Sequence, residues 1–143
     1  MEKMYTELAP DFKISRVLTG LWQIADMERN GDPLDPDATA TAMAPYVQAG
    51  LTTFDMADHY GSAEIIAGTF KNKHELGAQA QLLTKWVPQP GKSSKEETRA
   101  AMQRSLDRMQ VAQLDMLQFH AWSYPDPVWL DQLFWLSELR EEG

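Results

Sequence analysis

The chain has 143 residues, 43% hydrophobic and 24% charged, a balance that supports a buried core and is far from that of disordered chains. A formal net charge of -8 leaves no basic field to gather phosphates, which argues against a nucleic-acid partner. With no cysteine, no signal-peptide core and no apolar run near the roughly 18 residues of a membrane span, the chain is expected to be a single cytoplasmic domain without disulfide or thiolate chemistry.

Residues 1–13 read as an N-terminal extension. After them a pattern repeats: a short apolar, β-prone run, a turn rich in Gly, Pro or polar residues, then a helical segment. Alternation of this kind predicts parallel βαβ units. The first run is ISRVLTG, 14–20, followed by a loop in which Asn30-Gly31 and the Asp-Pro pairs are turn formers. Asp35 then caps a helix with Pro36 in its first turn, and Gly50 suits its far end. Pro45 lies inside that helix, where it deletes a backbone hydrogen bond at about 3 kcal/mol, so a kink or break is expected near Thr41.

The second run, LTTFD, ends at Asp55 and leads through HYGSAE into a helix over 63–70, with Glu64 at its positive end. The third, AQLLTKW, ends at Lys85 and Trp86; Ser94 and Glu97 then form a capping box. Met102, Leu106 and Met109 are expected to line the inner face of the helix that follows. The fourth run, LDMLQFH, ends at His120, and Asp126-Pro127 opens a last helix that Gly143 would stop.

Strand ends thus fall near residues 20, 55, 85 and 120, spaced by 30 to 35 residues, the length of a strand, a crossover helix and two loops. Four such units make a parallel (β/α) barrel of TIM type of which only about half is present, since a whole one needs about 250 residues. An open sheet with helices on both faces is the alternative.

Barrels display their chemistry at the carboxyl ends of the strands. That face would gather Asp55, Tyr60, Lys85 and His120. A lysine ammonium beside a phenol favours the phenolate, so Tyr60 is a candidate general acid toward a developing alkoxide, tuned by Lys85. Asp55 would hold the lysine, and His120 would donate a hydrogen bond to a carbonyl oxygen. Such a site polarises a carbonyl but has no hydride of its own, so a hydride-carrying cofactor is implied.

Blander readings stand beside these. Asp55 also suits a cap for the next turn, Tyr60 a packing role and His120 a satisfied core position, whereas Lys85 at the end of a buried strand needs a charged partner. His59 with Asp55, Asp58 and His120 suggests a metal, but no His-x-His or His-Glu-x-x-His spacing is present, so none is expected. Asp58 and His59 read as turn and surface residues and His74 as exposed. Trp22, Trp86 and Trp122 lie at strand-end loops, where a substrate pocket and packing are equally good accounts; Trp129, Phe134 and Trp135 belong to helix packing.

The segments GLTTFDMADHYGSAEIIAG (50–68), LLTKW (82–86) and LDMLQFHAW (114–122) resemble corresponding segments of the aldo-keto reductase superfamily. The resemblance implies that Asp55, Tyr60, Lys85 and His120 form the catalytic tetrad of NADPH-dependent reduction of an aldehyde or ketone on a (β/α)8 barrel. LTGLWQI (18–24) is similar to the family's first strand and loop, which places Gly20, Leu21, Trp22 and Asp55 at the cofactor and Trp22, Trp86 and Trp122 at a small carbonyl substrate. The family's grip on the cofactor's phosphates comes mostly from the second half of the barrel, to which nothing here is similar. A catalytically incomplete half-barrel or interaction module is therefore the alternative, and either self-association or a complementary half-barrel is expected to cover the open edges.

Overall fold

The structure is a computed structural model that describes residues 4–25, 34–91 and 93–143. Its centre is a parallel sheet of four strands, β3 (Thr19–Gly20), β4 (Thr53–Asp55), β5 (Gln81–Trp86) and β6 (Met116–Phe119), which lie side by side in chain order. The register pairs Gly20 with Asp55, Asp55 with Leu83, and Lys85 with Gln118. Sequential order leaves no reversal point of the kind that defines the doubly wound alternative. This is a partial α/β barrel.

The helices α1 (Pro36–Ala40), α2 (Ala44–Gln48), α3 (Ala63–Lys73) and α4 (Lys95–Met109) fill the crossovers and α5 (Val128–Glu142) follows β6; α1 packs on α3, α3 on α4 and α4 on α5. Asp35 caps α1 by accepting from the amides of Asp37 and Ala38. A 3-10 turn at Thr41–Met43 separates α1 from α2, which starts just before Pro45. The expected break thus occurs where proline's missing N–H and its ring can be accommodated at a helix start. Ser94 Oγ accepts from Glu97 N at 3.0 Å to start α4, and Asp126 Oδ1 accepts from Val128 N at 3.1 Å to start α5. The Asn30-Gly31 turn lies outside the described residues.

The core lies between the sheet and the helices. Phe54 and Leu82 project from β4 and β5 onto Met43, Val47, Ile66 and Phe70, all buried. Alternation then sends Thr53, Asp55, Leu83 and Lys85 to the other, barrel-interior face. Three expectations change. The run 14–20 is split: β2 (Phe12–Ser15) pairs antiparallel with β1 (Tyr5–Ala9), and only Thr19 and Gly20 join the parallel sheet. This hairpin, which runs through position 13, is bonded across the amino ends of the strands: Ser15 N donates to Thr53 Oγ1 at 2.8 Å, and Gln81 Nε2 to Lys13 O at 2.7 Å.

The buried face of α4 is Thr98, Ala101, Ser105 and Met109, while Met102 and Leu106 are half-buried. Small side chains win that face because α3 approaches closely; a Cβ on Gly68 would fall 2.6 Å from the carbonyl carbon of Met109 and nearer still to its Cα and O. Glu64 lies in the first turn of α3, as expected, and is there 1% exposed and ion-paired with Arg108 at 3.2 Å. His74 is half-buried, stacked on Phe70 at 4.7 Å, and its Nδ1 accepts from Leu76 N.

Candidate active site

The strand-end chemistry begins with an ion pair. Asp55 is the last residue of β4 and Lys85 the fifth of β5, both on the interior face. Lys85 Nζ donates to Asp55 Oδ1 at 2.7 Å, to Asp55 Oδ2 at 2.6 Å and to Met56 O at 2.9 Å. These contacts use all three ammonium donors. The Lys85 and Asp55 side chains are only 15% and 28% exposed, so the lysine charge is largely desolvated and compensated locally. Gln118, level with Lys85 on β6, adds a bond from Nε2 to Asp55 Oδ1 at 3.0 Å. Sequence reasoning missed Gln118; its signal was the shared inward parity with His120, two positions on.

Tyr60 sits in the loop after β4, and Lys85 Nζ lies 5.3 Å from its ring centroid, over the face, an arrangement in which the ring quadrupole attracts the cation. The loop is fixed by Asp58 N donating to Lys85 O, Tyr60 N to Ala57 O and Ala63 N to Tyr60 O. Trp22 meets Tyr60 edge-on at 4.6 Å, brought there because Leu21 N donates to Asp55 O and so continues the β3–β4 pairing one residue further. A chain of edge-on rings leads outward, from Tyr60 to His59 at 4.9 Å, His59 to Trp122 at 5.9 Å and Trp122 to His120 at 6.1 Å.

Asp55, Lys85, Tyr60 and Trp22 are therefore in one contact group, and His120 stands at its exposed rim, its amide bonded to Trp86 O. Gly20 faces open space, with nothing within 4 Å of a Cβ placed there. Two expectations need correction. Leu21 is 1% exposed, with its side chain in the core, its amide donating to Asp55 O and its carbonyl accepting from Ala25 N at 3.3 Å. Trp86 is 3% exposed and alternates to the opposite face from Lys85, packed on Phe119 at 5.7 Å; this is a packing position, because neighbouring strand residues point to opposite sides. Trp122 is 71% exposed and touches only the rings of His59 and His120 among the aromatic contacts of the described residues.

His59 is exposed, as expected, but it belongs to the ring chain and pairs with Asp58 at 3.0 Å. A cleft of about 510 Å³ borders it on the outer side, between α4, α5 and the loops after β5 and β6; Asp55, Tyr60, Lys85 and His120 do not line it. No group of three His, Asp or Glu side chains is placed to hold a metal among the described residues, and no helix among them is long and apolar enough to cross a membrane.

The family model "Aldo/keto reductase family" matches residues 16–143. The chain belongs to this family. Human aflatoxin B1 aldehyde reductase member 2 is 32% identical over 117 residues, which covers 79% of this chain and 32% of the relative. An aldo-keto reductase from Bacillus halodurans, solved in its holo form, superposes with a TM-score of 0.75 at 23% identity over 97% of this chain and 47% of its own. One from Klebsiella pneumoniae, solved in complex with NADPH, gives 0.71 at 22% identity over 92% of this chain and 43% of its own. The chain thus spans about a third of the human relative and under half of each of these structures.

Proposed function

We propose that this chain carries the proton-donating half of an NADPH-dependent carbonyl reductase, acting on a small aldehyde or ketone. The observation that carries this reading is Lys85, bound to Asp55 and Met56 O through three short contacts and lying over the Tyr60 ring. A lysine held in this way is a fixed positive charge beside the phenol, and it stabilises the anion left when Tyr60 gives up its proton. Tyr60 protonates the alkoxide; Asp55 fixes and compensates Lys85; His120, at the rim, orients the carbonyl oxygen by a hydrogen bond.

NADPH, when bound, supplies the hydride. Gly20, which faces open space, and Trp22, whose ring abuts Tyr60, would hold its nicotinamide end. Trp22 and Trp122 would also flank the substrate. The aldehyde in the name of the human relative and the NADPH in the Klebsiella structure support the choice of substrate class and cofactor.

A second feature favours action as part of a closed barrel. Strands β3 and β6 each have one neighbour in the sheet, β6 is half-buried along its length, and Leu130, Leu133 and Phe134 of α5 are exposed, Phe134 at 68%. Open edges and apolar faces of this kind are association sites. We infer that a complementary half-barrel, or a second copy of the chain, covers them, and that a chain left uncovered is the catalytically incomplete form. The cytoplasm is the proposed compartment.

The test is Tyr60→Phe in the assembled, active form. The variant is expected to lose nearly all carbonyl reduction while it still binds NADPH; retained turnover rejects Tyr60 as the acid.

A further inference from the structure

The Tyr60 loop is gripped from outside the barrel by a charge that stability alone does not explain. Glu64, in the first turn of α3, is 1% exposed, and both its carboxylate oxygens are engaged: Oε1 accepts from the Thr84 hydroxyl at 2.7 Å and Oε2 from Arg108 Nη1 at 3.2 Å. The same Arg108 Nη1, reaching from the last turn of α4, donates at 2.7 Å to the carbonyl of Asp58, two residues before Tyr60. The Asp58 amide, in turn, donates to Lys85 O at 2.9 Å. The Asp58 residue is thus tied on one side to the strand that carries Lys85 and on the other to α4.

The Glu64 carboxylate is buried while the Arg108 side chain is 40% exposed, so the desolvation cost falls mainly on Glu64, and well-packed apolar residues often stabilise a fold as well as such a pair. What an apolar pair cannot supply is a directed donor at the Asp58 carbonyl. Glu64 provides the second half of the device: its charge, held by Thr84 at the outer face of β5, fixes the guanidinium so that the bond to Asp58 has one geometry.

We propose that Arg108 and Glu64 are positioning residues that clamp the 56–60 loop and so hold the Tyr60 ring at Lys85. The clamp acts through Asp58 and touches neither substrate nor cofactor. Its role in turnover rests on the carbonyl-reductase reading; its grip on the loop does not.

Removing Arg108 alone would strand a buried carboxylate and invite unfolding, so the test is the double variant Glu64→Gln/Arg108→Met, in which the new side-chain amide oxygen at position 64 still accepts from Thr84 and no charge is left unpaired. Amide hydrogen exchange is measured across the full chain. The expected result is at least a tenfold faster exchange at Asp58 and Tyr60, with Phe54, Leu83 and Thr84 unchanged. Unchanged protection at Asp58 and Tyr60, or a uniform rise that includes the strand amides, overturns the clamp.

In the assembled enzyme the same variant is expected to lose about tenfold in kcat with KM for carbonyl and cofactor within twofold, and Arg108→Lys, which keeps a donor and a charge, is expected to recover part of that loss. A loosened loop with unchanged kcat overturns the positioning role. If the parent protein shows no turnover, the reductase reading fails while the exchange result still decides the clamp.

Discussion

Gly68→Ala probes the contact that sets α4 against α3, and with it the reach of Arg108 to the Tyr60 loop. A Cβ at position 68 would lie 2.6 Å from the carbonyl carbon of Met109, against the 3.4 Å at which ordinary contact begins. Both sides of the contact are helix backbone, so no rotamer change relieves it, and the helices must separate by about 1 Å. Overpacking of this kind costs typically 1–3 kcal/mol, and the rigid neighbours put it at about 3 kcal/mol. Alanine recovers about 1 kcal/mol over glycine in a helix interior. The net loss of about 2 kcal/mol lowers Tm by roughly 4–8 °C in a domain of this size. Thermal unfolding followed by circular dichroism reads the shift, with Gly20→Ala, where a Cβ meets nothing within 4 Å, as the unaffected control. An unchanged or raised Tm for Gly68→Ala would refute the close-approach account.

Thr84→Val removes a hydroxyl donor from the buried Glu64 carboxylate and is expected to cost about 1–3 kcal/mol in urea unfolding; a neutral result would mean that water or another donor replaces it. Ser94→Ala deletes the α4 cap, with an expected loss of about 1 kcal/mol by the same assay. Gln118→Leu leaves Asp55 with Lys85 alone; turnover of the assembled enzyme is expected to fall about tenfold, the equivalent of one bond of roughly 1.4 kcal/mol to a charged group. NADPH affinity measured by fluorescence should hold, and an affinity loss in place of a rate loss would move Gln118 from the Asp55 network to the cofactor.

What was legible in the sequence was what alternation and punctuation encode. The strand ends at Gly20 and Asp55 fall on the expected residues, and those near 85 and 120 fall at Trp86 and Phe119. The break before Pro45, the caps at Asp35 and Ser94 and the start of α5 after Asp126-Pro127 follow from local hydrogen-bond supply, which needs no tertiary knowledge. The Asp55–Lys85 pair was legible because a lysine ending a buried strand demands an anion.

Features set by tertiary packing were not legible. Pro10-Asp11 marks the corner, with Asp11 at φ 62°, but β1 is almost wholly exposed and carries no apolar alternation, so the hairpin was missed. Helix α4 buries Thr98 and Ser105 in preference to Leu106, and its end meets Gly68 of α3 through the Met109 backbone, a contact with a helix distant in sequence. Glu64 was legible as a first-turn acid at the positive end of α3, but its partner Arg108, 44 positions later, was not. Trp86 shares the strand end with Lys85 but not its face, a distinction fixed by strand parity.

The most direct test of the proposed chemistry is hydride tracing. NADPH deuterated at the transferable position is incubated with an aromatic aldehyde and the protein, alone and with a complementary half-barrel, and the alcohol is analysed by mass spectrometry. The account predicts one deuterium on the carbinol carbon with the assembled protein and almost none with Tyr60→Phe. Bound NADPH without label transfer in any assembly, or equal transfer by Tyr60→Phe, would contradict it.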